Sequence, residues 1–197
     1  MLSLNPEDRV ALAARTRTPP GRTLVYLAFG ANLGDRARTL DLAAAQLEST
    51  GAIQIRNVSS FYETEPLAEE CPGSAVPTPW YLNRVLEADS DLAPEELLLR
   101  TQAVEIALGR DAARERWAPR EIDIDILLHG ATVLRTERLT IPHPGLTARR
   151  FVLEPLAEIA PALLIPGTGL TVAQHLNALT DPLRVLLYAR RGPGERG

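Results

Sequence analysis

The chain has no lysine; all 21 of its basic residues are arginine. That absence excludes a lysine Schiff base. It also excludes a phosphate loop of the Walker type, which needs its lysine. If this protein handles phosphate, arginine and metal must do the work. Cysteine is almost missing too. Cys71 stands alone, so no internal disulfide can form, and a reducing compartment is expected. Its setting, Cys71-Pro72-Gly73-Ser74, reads as a loop and not as a nucleophile's pocket. No apolar stretch approaches the roughly 20 residues that span a membrane. Glu7, Asp8 and Arg9 interrupt the N-terminus before any signal-like run, and the expected location is the cytoplasm. A net charge of −4 argues against a general nucleic-acid binder. The three histidines and one cysteine show no zinc spacing.

What is present fits one globular domain: 197 residues, 45% hydrophobic and 23% charged. Residues 1–22 end in Pro19-Pro20-Gly21 and read as a tail, 23–180 as a single domain, and 181–197 as an Arg/Gly-rich tail. Leu24 to Phe29 reads as a buried strand. Asp35 can cap a helix running to about Ser49, with Leu40, Ala44 and Leu47 on one face. Ile53 to Tyr62 and Tyr81 to Ala88 read as strands, separated by a proline-rich loop too long for a simple connector. Pro94 starts a helix through Leu108, closed by Gly109. A charged loop, Arg110 to Pro119, leads into a fourth strand. Short helices are expected over 149–159 and 172–179. The order strand, helix, strand, strand, helix, strand is the split pattern of a ferredoxin-like α+β sandwich. Its sheet should be mixed or antiparallel, with helices on one face.

The fourth strand carries the chemistry. In Arg116-Trp117-Ala118-Pro119-Arg120-Glu121-Ile122-Asp123-Ile124-Asp125-Ile126-Leu127, Ile122, Ile124 and Ile126 share one face and Asp123 and Asp125 the other. Aspartate is depleted in strands, and two on one face lie roughly 7 Å apart. A solvated strand edge accounts for such a pair. So does a divalent cation, and hard carboxylate oxygens suit magnesium. Arg110, Arg116, Arg120 and Arg149 could face the anion that a metal brings, arginine being a bidentate partner for phosphate. His143, held between Pro142 and Pro144, could donate to a phosphate, or be an ordinary packed histidine. Tyr81 and Asn83 share a strand face and offer a stacking ring and an amide that both donates and accepts. A core tyrosine and an edge amide would look the same. Gly30-Ala31-Asn32-Leu33-Gly34 is a weak glycine motif that a structural turn explains equally well.

Taken in order, Tyr26–Gly34, Ser59–Thr64, Tyr81-Leu82-Asn83, Gly109-Arg110, Arg116–Leu127, Arg138–Pro144 and Arg149–Leu156 resemble the 6-hydroxymethyl-7,8-dihydropterin pyrophosphokinases of folate biosynthesis, over roughly residues 24–166. The Arg-Trp-x-Pro-Arg-x-x-Asp-x-Asp segment is the most specific piece. The resemblance implies transfer of a pyrophosphoryl unit from ATP to the pterin hydroxymethyl oxygen, by attack at the β-phosphorus with release of AMP. It implies two magnesium ions on Asp123 and Asp125, with Arg110 and Arg120 beside them as catalytic groups. It places the nucleotide on Gln102, Arg110, Arg116, Trp117, Arg120, Ile126, Thr140, His143 and Arg149. The pterin falls on Thr64, Leu67, Tyr81, Asn83, Trp117 and Phe151. ATP and the pterin would be the partners, without nucleic acid or membrane, and the chain is expected to be a monomer. Residues 110–119 are expected to close as a lid that excludes water. Departures from the family pattern are Ala118, where glycine is common, Ala112, where a basic residue is common and Arg114 is a candidate substitute, and the long loop 68–79. Two other readings stay open: a different two-metal nucleotidyl or phosphoryl transferase, giving pyrophosphate or ADP, and a ligand-binding regulatory module on the same sandwich.

Overall fold

The computed structural model describes residues 18–66, 79–110 and 120–189. In chain order these form β1 (Thr23–Ala31), α1 (Arg36–Glu48), β2 (Ile53–Val58), β3 (Phe61–Thr64), β4 (Tyr81–Ser90), α2 (Pro94–Ala107), β5 (Asp123–His129), β6 (Leu134–Arg135), β7 (Thr140–Ile141), α3 (Arg150–Ile159), α4 (Val172–Ala178) and β8 (Val185–Ala189). The main sheet runs β5-β1-β4-β3-β8, and β2 pairs with the far half of β4. Every pairing in it is antiparallel among the described residues. Counting β2 and β3 as one broken strand, the order is that of a ferredoxin-like sandwich, as expected.

The helix starts are locally determined. The Asp35 carboxylate accepts the Arg38 N–H at 3.2 Å, capping α1. Pro94 opens α2, and the Glu96 carboxylate reaches back to the Ala93 N–H at 2.8 Å. Leu40, Ala44 and Leu47 are buried as their spacing predicts. The expected single strand 53–62 breaks at Ser59-Ser60. There the Ser59 hydroxyl accepts the Val85 N–H at 2.9 Å, and the Ser60 N–H and hydroxyl donate to Glu158, each at 2.9 Å. Serine side chains that compete for backbone partners interrupt a ladder in this way.

The helices lie on both faces, not one. Val25, Leu27 and Phe29 pack under α1 and α2, while Tyr26, Val85, Leu127 and Leu128 pack under α3 and α4. The reason is visible in β1, whose residues are apolar on both faces and so need cover on both. The segment 181–197, expected to be a tail, contains a strand of the main sheet. Val185 to Ala189 is a strand pairing with β3. Its apolar, β-prone run was masked by the arginines and glycines after it. No helix among the described residues is long and apolar enough to cross a membrane.

Candidate active site

The site lies on the α3 side of the sheet, at one end of β5, β1 and β4. Strand alternation sends Asp123 and Asp125 to this face and Ile124 and Ile126 into the core beneath α1 and α2. Cross-strand register then sets the neighbours. Gly30 of β1 stands opposite Asp123 on one side and Asn83 on the other. A Cβ on Gly30 would sit 2.8 Å from the Asn83 Oδ1, so glycine is needed there for close approach and not for backbone conformation. Asn83 is itself fixed, its amide donating to the Thr64 hydroxyl at 2.7 Å, with both residues buried. Tyr81 stands opposite Thr64.

Arginines surround Asp123. Arg120 Nη1 lies 2.7 Å from one carboxylate oxygen and Arg110 Nη1 2.9 Å from the other. Arg110 also contacts Glu105, a carboxylate of α2 that is 3% exposed. Glu105 accepts the Ile124 N–H of β5 at 2.7 Å. One buried carboxylate therefore ties together helix, strand and arginine. Burial pushes its carboxyl up to about 7, against the pull of the Ile124 N–H and Arg110. The entry to β5 is pinned by Asn32, whose Oδ1 accepts the Arg120 N–H at 2.8 Å while its own N–H donates to the Arg120 carbonyl at 3.2 Å.

His143 is docked on the same strand. Its backbone N–H donates to the Leu127 carbonyl at 3.0 Å, which brings Nε2 to 3.9 Å from an Asp125 oxygen. Nδ1 accepts the Gly145 N–H at 3.1 Å, so Nε2 is the nitrogen free to carry a proton toward the site. Burial holds the imidazole below its ordinary range, despite the pull of Asp125. Asp125 is pushed upward by burial first and by Asp123 second. A carboxylate this close to a second one calls for positive charge nearby. Arg149 helps supply it and lies over the Phe151 ring at 5.7 Å. Gly145 leaves room for that arginine, since a Cβ there would meet Arg149 Nε at 2.7 Å.

The structure thus brings together Arg110, Arg120, Asp123, Asp125, His143 and Arg149 at one end, with Asn83, Thr64 and Tyr81 beside them. Phe151 lies at the start of α3, partly buried. Ile126 faces the opposite side of the sheet from the aspartates. Gln102 lies on α2, and Thr140 lies on β7. Leu67, Cys71, Ala112, Arg114, Arg116, Trp117 and Ala118 fall outside the described residues, as do most of the expected lid and of the loop 68–79. Sequence reasoning missed Glu105 and Asn32. A signal for Glu105 existed: it shares the buried stripe of α2 with Leu97, Thr101 and Val104, where a lone glutamate needs a partner.

No cluster of three or more metal-ligating side chains occurs among the described residues. Two neighbouring carboxylates nevertheless suit magnesium, which retains waters and shares its remaining sites with phosphate oxygens. A sequence model described as 7,8-dihydro-6-hydroxymethylpterin-pyrophosphokinase matches residues 26–161. The chain belongs to that family. Proteins named 2-amino-4-hydroxy-6-hydroxymethyldihydropteridine pyrophosphokinase align from Bacillus subtilis, at 44% identity over 69% of this chain and 77% of that one. The same name is carried by a relative from Methylorubrum extorquens, at 41% identity over 81% of this chain and 95% of that one. Among solved structures, wild-type Plasmodium falciparum HPPK-DHPS superposes with a TM-score of 0.60 at 15% identity, covering 80% of this chain. This chain spans 44% of that longer one, and the likeness supports the pyrophosphokinase-family fold alone.

Proposed function

We propose that the face bearing Asp123, Gly30 and Asn83 transfers a pyrophosphoryl unit from ATP to 6-hydroxymethyl-7,8-dihydropterin. Family membership makes the chain an ATP-dependent diphosphokinase acting in folate biosynthesis. The residue assignment rests on one observation. A single row across the sheet carries a carboxylate ringed by arginines, a glycine, and a buried amide. Two strand spacings separate Asp123 from Asn83, about 10 Å, which suits a triphosphate meeting a flat heterocycle.

Asn83 and Thr64 would read the pterin edge, Asn83 having an acceptor oxygen left over from its bond to Thr64. Phe151 and Tyr81 would supply ring faces. Asp123 and Asp125 would hold magnesium, two ions in our reading, which when bound neutralises phosphate charge and favours in-line attack. Arg110, Arg120, Arg149 and the Nε2–H of His143 would pair with phosphate oxygens. The hydroxymethyl oxygen then bonds to the β-phosphorus as the bond from that phosphorus to the oxygen bridging it to the α-phosphorus breaks. The hydroxyl proton passes to water, and AMP departs with the bridging oxygen. Gln102 and Thr140 would hold the adenosine, with Ile126, whose side chain is in the core, contributing backbone alone, carrying the nucleotide around β5, an edge strand of the sheet.

An endpoint assay with ATP, magnesium and the pterin, resolving AMP from ADP, tests this. AMP formed one-for-one with pterin diphosphate is the expected result. ADP, or ATP binding without any pterin-dependent AMP, would overturn it.

A further inference from the structure

The connection between β3 and β4 has the candidate pterin residues at its two ends: Thr64 where it leaves and Tyr81 and Asn83 where it returns. Two arginines from distant parts of the chain grip those ends. Arg36, in the first turn of α1, donates from Nη1 to the Trp80 carbonyl at 2.7 Å. Its Nη2 lies 2.7 Å from the Glu63 carboxylate. One guanidinium thus bridges the outgoing and the returning strand. Arg184, just before β8, completes the hold. Its N–H donates to Glu65 Oε2 and its carbonyl accepts the Glu65 N–H, both at 3.2 Å. Its guanidinium lies 5.1 Å from the Trp80 ring centroid. Tyr188 of β8 in turn packs its ring 5.7 Å from the Arg36 guanidinium.

Strand alternation turns Glu63 to the face opposite Thr64. Among the described residues, Arg36 contacts Trp80, Glu63 and Tyr188 and none of the candidate substrate residues. The Arg36–Glu63 pair is mostly shielded, with side chains 21% and 28% exposed. The Arg184 side chain is 64% exposed, so its ion pair with Glu65 contributes little, and its backbone bonds and ring contact matter more.

We infer that Arg36, backed by β8, is a positioning residue for the pterin half of the site: by bridging Glu63 and the Trp80 carbonyl it holds Thr64 against Asn83. This rests on the pterin role given above to Thr64, Tyr81 and Asn83. Loosening the bridge leaves Asp123, Asp125, Arg110, Arg120 and Arg149 untouched, since none of these contacts it. The effect should fall on one substrate.

The test is R36M in the full chain, with R36K and E63Q beside it. Pterin Kd is measured by pterin fluorescence with a nonhydrolysable ATP analogue and magnesium, and both KM values by AMP release. For R36M, pterin Kd and KM should rise roughly tenfold, the loss expected of a charge-assisted bridge, with the ATP KM within about twofold of wild type. R36K should recover part of the loss. E63Q, which keeps the bond to Trp80, should shift the pterin constants in the same direction by less, and carries the test if R36M does not fold. Unchanged pterin binding in the folded variants, or equal rises in both KM values, would overturn the inference. Wild-type protein that binds no pterin would remove the pterin reading and this inference with it.

Discussion

The two halves of the candidate site share one face and one glycine, yet they are built on opposite principles. Around Asp123 and Asp125 everything is charge: two carboxylates, Arg110, Arg120, Arg149 and a histidine whose proton is held loosely. Asn83 and Thr64, by contrast, are neutral, buried and bonded to each other. The charged half is held together by attractions that a bound phosphate would redistribute. The neutral half has one acceptor to offer and little freedom to move. A polyanion whose charge shifts during reaction needs the first kind of surface. A heterocycle to be distinguished from its analogues needs the second, because an unmatched buried amide is costly.

The largest expected effect separates the halves by chemistry. Asp123→Asn and Asp125→Asn keep the shape and remove one charge each. Either should cut turnover by ~10³-fold or more, the scale of several kcal/mol that metal-assisted charge neutralisation supplies. Pterin binding without nucleotide should survive. Near-normal turnover in both variants would end the metal assignment. Gly30→Ala probes the boundary instead. The new methyl would press on the Asn83 Oδ1 at 2.8 Å, and Asn83 cannot swing away without breaking its bond to Thr64. The pterin KM should rise roughly tenfold, about 1.4 kcal/mol, with a smaller change for ATP. A G30A enzyme with wild-type pterin KM would mean that Asn83 does not need its present place.

The charged half was the more legible in the sequence. Alternation of Ile122, Ile124 and Ile126 with Asp123 and Asp125 fixes which residues share a face, because the strand period is two. The structure bears out that split, down to Ile126 lying in the core. The helix starts at Asp35 and Pro94 were legible because capping is local. What was hidden depends on contacts between distant segments. Glu105 meets Ile124, Asn32 meets Arg120, and Gly30 meets Asn83. None of these pairs has a spacing that announces it. The second helical layer and β8 were missed for a related reason: periodicity says that a face is apolar, not which later segment covers it.

Glu105 gives the prediction with the smallest effect on rate. Its carboxyl is pushed from an ordinary value of 4.5 to about 7 in the folded protein, chiefly by burial. Between those values the folded state holds the proton and the unfolded state does not. The stabilisation from the protonated form is therefore complete below about 4.5 and is lost as pH rises through about 7. At 1.36 kcal/mol per unit the loss is at most about 3 kcal/mol, and less where Arg110 shares the charge. His143 opposes this slope, since an imidazole held below its ordinary range costs stability as pH falls. The comparison that isolates Glu105 is thus wild type against Glu105→Gln, which has an oxygen to accept the Ile124 N–H but no charge to titrate. Urea unfolding without nucleotide or metal, at pH 5.5 and pH 8, should show wild type losing stability relative to E105Q at the higher pH. Parallel pH dependence in the two proteins would mean that Glu105 is ionised throughout. The tie between α2, β5 and Arg110 would then be a permanent ion pair, and the charged half would be as rigidly built as the neutral one.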